Sequence, residues 1–404
     1  MKFNIQSSSL AAVLLVGSNL AAAAKMPGAE EMWKIIQQQQ REIEALKAGQ
    51  KANTEKVEAT AEAVEDTATA TQGAHPASGS AWIENTQVGG YGEMHYNNLD
   101  SKDEIDFHRF VLFFGHQFSD RLRFFSELEV EHAESGDGQN GEVELEQAYI
   151  EYDITQTQRA RAGLFLVPVG ILNPTHEPAT FYGVERNPVE SNIIPTTWWV
   201  GGGGLSGEIM PGWSYDFSIH EGLDTSASNN YAVRKGRQKT SEANANDLAS
   251  TLRIKWTGMP GVELAASAQY QQDVTQSSDA NAGNAWLYEA HADIERSSFG
   301  LRTLYAMWDL DGSGPRSVGA DKQEGFYIEP SYKITPEWGV FARYNRWDNQ
   351  AGDSNFNSEK KQLNAGVNYW PHPDVVLKAD VQQQDNEGSN KNDNGFNLGV
   401  GYQF

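Results

Sequence analysis

The sequence has 404 residues, no cysteine, and 31 basic against 55 acidic residues, giving a formal net charge of -24 at pH 7. The lack of cysteine excludes disulfides and thiol chemistry, and the acidic balance argues against nucleic-acid binding because few cations could neutralise phosphates. Past the N-terminus there is no apolar run of about 18 residues, which excludes a helical membrane span. This composition does not exclude membrane-spanning strands, since only alternate residues of such a strand face lipid.

Residues 1–24 have the layout of a secretory signal peptide. Lys2 supplies a positive charge, residues 10–20 form a short apolar stretch, and the small residues 21–24 form a cleavage site. The alternative is an ordinary buried helix. We expect this segment to be removed on export.

Residues 25–64 are predicted to form a periplasmic helix with coiled-coil character. Ile36, Ile43, Val57 and Val64 fall on one heptad position, which is typical of a coiled-coil seam. Polar residues also occupy the seam, so the helix is either a trimerisation stalk or a solvated amphipathic linker.

Residues 65–84 are predicted to be a flexible linker. The stretch is rich in alanine, threonine, glycine and serine, and it contains Pro76. Such a composition buries too little apolar surface to order itself.

From residue 85 to residue 404 the sequence predicts strands. Apolar and polar residues alternate in stretches of about ten, and in the last stretch Phe396, Leu398 and Val400 share one face. We predict strands at 87–97, 105–118, 121–133, 143–154, 159–167, 203–210, 213–221, 247–256, 262–272, 284–295, 299–309, 323–333, 338–347, 362–370, 375–383 and 395–404. The predicted fold class is therefore all-β, a transmembrane antiparallel up-and-down barrel of about 16 strands.

The connections between these strands alternate in length. Short turns are predicted near 119–120, 211–212, 258–261, 296–298, 335–337 and 371–374, and long polar loops at 134–142, 222–246, 273–283, 310–322, 348–361 and 384–394. Short periplasmic turns that alternate with long extracellular loops are typical of outer-membrane barrels. The aromatic residues beside the short turns are expected to form an interfacial girdle: Trp213, Trp256, Tyr332, Trp338 and Trp370.

Several motifs resemble known porins. The stretch 163–171, followed by His176-Glu177-Pro178 and Val184-Glu185-Arg186, resembles the phosphate-selective porin O/P family. Residues 90–93 and 107–110 are similar to the first hairpin of that family, and the N-terminal coil is similar to that of DcaP-like trimeric porins. The resemblance implies a homotrimer of 16-stranded barrels with the third loop folded into the pore. The continuous arginine and lysine ladder of that family is not found here.

The longest predicted loop, residues 168–202, is the candidate pore constriction. Loops beyond about 12–15 residues are uncommon unless functional. Acids on this loop opposite basic residues on the wall would create a transverse field that orients solutes. The alternative is that the charges pair with one another and only hold the loop. The candidate constriction or solute-binding residues are Arg109, Arg161, His176, Glu177, Glu185, Arg186, Arg302 and Arg343.

The sequence predicts no metal, no cofactor and no enzymatic activity. The spacing of His176, Glu177 and Glu185 matches no helical zinc motif. Residues 309–314 resemble the opening of a calcium loop, but Ala320 stands where the bidentate glutamate belongs. No serine lies in a distinctive catalytic motif, although a barrel hydrolase stays an alternative.

The predicted function is a porin of the bacterial outer membrane that lets small polar or ionic solutes diffuse through its lumen. The alternative is a structural anchor, in which the coiled coil tethers the membrane to the cell wall. The expected partners are solutes, outer-membrane lipid, lipopolysaccharide and two further copies of the chain.

Overall fold

A computed structural model describes residues 80–388 and 392–404. The predicted signal peptide, the coiled-coil helix at 25–64 and the linker up to residue 79 lie outside the described residues. The last five residues that we assigned to the linker form a short helix, α1 (Ser80–Glu84). Among the described residues, no helix is both long and apolar enough to cross a membrane.

The rest of the chain is a closed barrel of 16 antiparallel strands, each paired with its neighbours in the sequence. The strands are β1 (Thr86–Leu99), β2 (Asp103–Ser119), β3 (Leu122–Glu131), β4 (Val143–Asp153), β5 (Gln158–Leu166), β6 (Trp199–Met210), β7 (Trp213–His220), β8 (Ala249–Met259), β9 (Val262–Gln271), β10 (Ala285–Arg296), β11 (Phe299–Leu310), β12 (Lys322–Lys333), β13 (Trp338–Asp348), β14 (Lys360–His372), β15 (Val375–Asn386) and β16 (Gly395–Gln403). The predicted fold class and strand number are confirmed.

The first and last strands close the barrel. The register between β1 and β16 runs from Tyr91 opposite Gln403 to Leu99 opposite Gly395. Beyond it, the backbone N–H of Gly90 donates to the carbonyl of Phe404 at 3.0 Å, and the N–H of Phe404 donates back at 2.9 Å. Closure leaves no free sheet edge, and a β-sheet that spans lipid must have no free edge.

The two faces of the sheet differ in chemistry. Large apolar side chains such as Val88, Leu112 and Leu398 are exposed on the outer face. Charged side chains such as Arg109 and Glu329 are buried on the inner face. A charge on the lipid side near mid-bilayer costs about 2–4 kcal/mol, so this partition is what a membrane barrel needs.

The connections are sorted by length, as predicted. Short turns join the strands at one end, at 120–121, 154–157, 211–212, 260–261, 297–298, 334–337 and 373–374. The other end carries 100–102, 132–142, 167–198, 221–248, 272–284, 311–321, 349–359 and 387–394, of which only the first is short. Trp338 stacks on Tyr369 beside a short turn, with ring centroids 4.4 Å apart. The prediction for Trp370 is wrong, because this ring lies inside the barrel, edge-on to Tyr182 of the third loop.

The register shifts in six strand pairs of the described barrel, and two of these β-bulges bear on the inner face beside the third loop. The register between β1 and β2 shifts between Glu93 and His95, and the register between β3 and β4 shifts between Glu127 and Leu128. A bulge re-aims the side chains of its strand. Both bulges therefore bring polar residues to the inner face that strict alternation would place outside.

A hydrophobic core lies inside one sector of the barrel. It joins Val189, Ile193 and Ile194 of the third loop to inward side chains of β10 to β13, including Trp308 and Tyr327. Residues 272–284 and 311–321 add further apolar contacts, and the short helix α2 (Pro188–Asn192) is its centre within the loop. The core holds the loop inside the barrel by the same burial that stabilises soluble domains.

Candidate functional site

The third loop, residues 167–198, lies inside the barrel. The predicted end of this loop is wrong, since Trp199 and the glycines up to Gly204 belong to β6 and pair with β5. Gly202 pairs with Gly163 and His220 on its two sides, and a side chain there would meet the carbonyl of Ile219 at 2.2 Å. The glycines thus serve close strand packing at this point, rather than a loop passage.

Glu190 anchors the loop to itself and to the wall. Its Oε2 accepts the backbone N–H groups of Ile171 and Leu172 at 2.8 and 2.7 Å. Its Oε1 accepts the hydroxyl of Tyr327 on β12 at 2.9 Å and the amide of Asn187 at 3.2 Å. Four donors on one fully buried carboxylate fix the position of α2.

The far end of the loop reaches the seam of the barrel. Glu185 Oε1 contacts His95 Nδ1 on β1 at 3.1 Å and accepts the amide of Asn97 at 2.9 Å. The backbone N–H of Val184 donates to Asp380 Oδ2 on β15 at 2.7 Å. The loop therefore crosses the lumen from β5 to β1 and β15.

A second loop packs on the third one. Residues 221–248, of which we predicted 222–246 to be a polar extracellular loop, bury Leu223, Tyr231 and Val233 in the inner core. From this loop, Arg234 Nη1 donates to the carbonyl oxygens of Ser191 and Thr196 at 2.7 and 2.6 Å. The loop predicted to be polar therefore packs inside the barrel, against the third loop.

Three arginines meet where the two loops join the wall. Arg186 of the third loop and Arg234 and Arg237 of the second line one cavity of about 240 Å³. Within residues 80–388 and 392–404, none of the three has a carboxylate oxygen within ion-pair distance, and Arg186 Nη2 and Arg237 Nε make no hydrogen bond. Burial and the neighbouring Arg237 and Arg186 lower the pKa of Arg234 to about 10, so its charge persists at neutral pH. Half-buried guanidinium groups that lack a counter-ion favour an anion in this cavity.

The opposite side of the same cavity is acidic, and apart from Glu131 its carboxylates have partners. Arg109 pairs with Glu93 at 2.9 Å and with Glu129 at 3.0 Å. Lys239 contacts Glu142 and Glu144. The free positive charge of this cavity therefore lies with the loop arginines.

The structure brings three of the predicted site residues together. Arg109, Glu185 and Arg186 line the same cavity. Arg343 adjoins it, because its guanidinium donates to the carbonyl of Glu185 at 3.2 Å and to Glu329 at 3.2 Å.

The other predicted residues lie elsewhere. Arg302 donates to Asp293 at 2.9 Å and lines a separate cavity toward the short turns. Arg161 lies over the ring of Phe165 at 4.4 Å. His176 is buried against β3 and β4. Glu177 begins a 3-10 turn, in which its backbone carbonyl accepts the N–H of Thr180 at 3.0 Å.

Sequence reasoning missed Arg234, Arg237 and Lys239. A signal was present, because the run 234–239 concentrates basic residues in a strongly acidic chain and follows the apolar Tyr231 and Val233. It also missed His95, whose ring contacts Glu185. His95 has the same inward parity on β1 as Glu93, so alternation was a signal for it, whereas the bulge lies on β2 and brings Asp106 opposite His95.

Comparisons with known proteins agree with this architecture. The model of the family described as Gram-negative porin matches residues 211–389. The chain is also 33% identical over 347 residues to an uncharacterized protein of Aquifex aeolicus (strain VF5), an alignment that covers 76% of this chain and 77% of the relative.

Solved outer-membrane channels have a similar fold. The channel DcaP of Acinetobacter baumannii superposes with a TM-score of 0.55 at 16% identity, covering 79% of this chain and 97% of that one. An anion-selective porin from Comamonas acidovorans gives a TM-score of 0.55 at 12% identity, covering 79% and 99%. At such low identity these likenesses concern the fold.

Proposed function

Because the chain belongs to the Gram-negative porin family and forms an outer-membrane channel for passive diffusion, we propose that it prefers small anions and that residues 167–198 form its constriction. One observation carries the proposal: Arg186, Arg234 and Arg237 converge on one cavity without a carboxylate partner among the described residues. A half-buried guanidinium group that lacks a counter-ion attracts a mobile anion.

The net charge of the chain does not oppose this preference. Many acids lie on exposed loops, such as Asp311 with its partner Arg316. Salt screens exposed charges beyond about 8–10 Å, whereas charges in a narrow passage between low-dielectric walls are screened much less. Ion choice is therefore decided at the cavity.

The wild-type channel tests this proposal directly. In a planar bilayer with a potassium chloride gradient, we expect a reversal potential that corresponds to a higher permeability for chloride than for potassium. Liposome swelling with small neutral and anionic solutes should show passage of both, with the anions favoured. A cation-preferring reversal potential contradicts the proposed selectivity, and absence of any conductance contradicts the diffusion role.

We also propose that the chain assembles as a homotrimer in lipid and lipopolysaccharide, with residues 25–64 in the periplasm. The heptad pattern of that segment supports this arrangement. Chemical crosslinking in detergent micelles, followed by electrophoresis, should give a ladder that stops at three chains.

Deletion of residues 25–80 is expected to leave single-channel conductance and ion preference unchanged. The barrel seam runs from Tyr91 and Gln403 to Leu99 and Gly395, so the deletion removes no residue of the seam or of the cavity. Single-channel recording of the deletion variant beside the full chain checks this. Loss of conductance in a variant that still migrates as a folded barrel would show that residues 25–80 are needed for an open channel and would contradict this prediction.

A further inference from the structure

The inner wall at β3 and β4 holds carboxylates that the diffusion role does not use. Glu127 on β3 and Glu146 on β4 are 2% and 0% exposed. His176 of the third loop lies against both, with its side chain 4% exposed. These three residues form what we call the β3–β4 cluster, and their ligand-type atoms all lie within 4.8 Å of one another.

The backbone delivers Glu146 to this cluster by a bulge. Glu127 pairs with Gln147 and Leu128 pairs with Leu145, so Glu146 has no partner across the ladder. Bulges recur next to functional sites because they re-aim a side chain. Here the bulge puts a second carboxylate beside that of Glu127, on the inner face.

The ring of His176 is oriented as in a metal ligand. Its Nδ1 lies 3.2 Å from the carbonyl oxygen of Asn173, and since a carbonyl only accepts, Nδ1 carries a proton. The other nitrogen, Nε2, faces Glu146 Oε2 at 3.3 Å and Glu127 Oε1 at 3.8 Å. In histidines that bind metals, the N–H of the other ring nitrogen usually donates a hydrogen bond to a carbonyl or carboxylate in this way.

The cluster lacks the hydrogen bonds that would explain it as a polar network. His176 Nε2 and both carboxylate oxygens of Glu146 are buried without a hydrogen-bond partner. The nearby Arg109 is already paired with Glu93 and Glu129. Two buried carboxylates beside an imidazole nitrogen that makes no hydrogen bond are unfavourable unless a cation or protons neutralise their charge.

We propose that His176, Glu127 and Glu146 bind one divalent transition-metal cation of the Zn²⁺ class, with water as a fourth ligand. Bonds of about 2.0–2.1 Å in a tetrahedral site place ligand atoms about 3.3–3.4 Å apart. The observed 3.3 Å fits, and the 3.8 Å needs a small inward shift. Gln147 donates to Glu127 Oε2 at 2.6 Å and so supports the ligand from behind.

The donor set selects the class of metal. Imidazole nitrogen suits Zn²⁺, Fe²⁺, Ni²⁺ and Cu²⁺, whereas Ca²⁺ and Mg²⁺ require oxygen ligands in larger number. The metal would tie the third loop to β3 and β4, whereas the inner core ties it to β10 to β13. It is therefore a structural fastening of the loop, beyond the diffusion role and independent of which ions pass.

Metal binding by the purified full-length barrel tests the proposal. The protein is stripped with a chelator in detergent, and Zn²⁺ is titrated with bound metal per chain measured by elemental analysis. We expect one Zn²⁺ per chain, a higher unfolding temperature with the metal, and an affinity at least about tenfold lower in His176→Gln and Glu146→Gln. Co²⁺ should give the visible absorption of a tetrahedral nitrogen–oxygen site in the wild type, and not in these variants.

A second histidine cluster supplies the matched control. Asp106, His108 and His132 also offer ligand atoms within 4.8 Å, and they are partly exposed. His132→Gln should keep the wild-type Zn²⁺ stoichiometry and the Co²⁺ spectrum if the metal is bound at the β3–β4 cluster. Loss of binding in His132→Gln with retention in His176→Gln overturns the assignment.

Other outcomes are equally decisive. Wild-type protein that binds no Zn²⁺, or that binds Ca²⁺ and Mg²⁺ equally well, overturns the proposal. The charges of the two carboxylates would then be neutralised by protons instead. If His176→Gln fails to fold, Gln147→Met removes only the supporting hydrogen bond, and its Zn²⁺ affinity should still fall while its barrel stays folded. An unchanged affinity in a folded Gln147→Met or Glu146→Gln protein contradicts it.

Discussion

Replacing Arg186, Arg234 and Arg237 together by glutamine is expected to reverse the ion preference of the channel from chloride to potassium. The three guanidinium groups are the positive charges of the cavity that lack a carboxylate partner among the described residues, while Glu93, Glu131 and Glu144 line it too. Two unit charges 4 Å apart interact by about 1 kcal/mol in water and by about 4 kcal/mol near a protein surface. Since about 1.4 kcal/mol is a factor of ten, the permeability ratio should change at least about tenfold.

Reversal potentials in a salt gradient measure this change, and a distant arginine controls for charge alone. Arg316 lies on an exposed loop beside Asp311, with 63% of its side chain exposed. Arg316→Gln removes a positive charge outside the lumen and should leave the reversal potential at the wild-type value. Equal reversal potentials in the triple variant and the wild type would remove the arginines from the ion path.

Glu190→Ala is expected to release the third loop and to raise the single-channel conductance and its noise. The substitution leaves the N–H groups of Ile171 and Leu172 buried without an acceptor, and it leaves the hydroxyl of Tyr327 without its partner. Each orphaned buried donor costs about 1–3 kcal/mol, and the vacated volume adds to the loss. The loop can recover those hydrogen bonds only by moving into water, which opens the passage.

Glu190→Gln is the matched control. The amide oxygen of glutamine can take the two backbone N–H groups, while its NH₂ donates to the hydroxyl oxygen of Tyr327, so that only the 3.2 Å hydrogen bond from Asn187 is lost. Conductance in Glu190→Gln should therefore stay close to that of the wild type. A Glu190→Ala channel with wild-type conductance and noise would show that the inner core holds the loop without this carboxylate.

The architecture could be predicted because its physical cause repeats along the chain. A strand between lipid and water must alternate apolar and polar side chains, so each of the 16 strands can be recognised from its own residues. Strands such as Trp338–Asp348 begin at the predicted residue. The long third loop could be predicted from its length. Its end could not, because Trp199 to Gly204 combine glycine with aromatic residues, and only pairing with β5 makes them a strand.

The candidate site was less predictable, since it depends on contacts between distant residues. Arg186 was found because it lies on the long loop, but its neighbours Arg234 and Arg237 come from a loop whose polar composition suggested solvent. Glu146 reaches the inner face through a bulge, which alternation forbids. His176 was judged against sequence neighbours such as Glu177, while the carboxylates beside it belong to two strands.

The contacts between the third loop and the barrel seam set an order for assembly. Glu185 contacts β1, Val184 contacts β15, and Pro178 packs close to Gly401 of β16. These docking points come from both ends of the barrel sequence, so they exist together only after the first strand has met the last. The third loop therefore docks at a late step of biogenesis. In a chain whose β1 and β16 have not yet paired, the loop is not yet held inside the barrel.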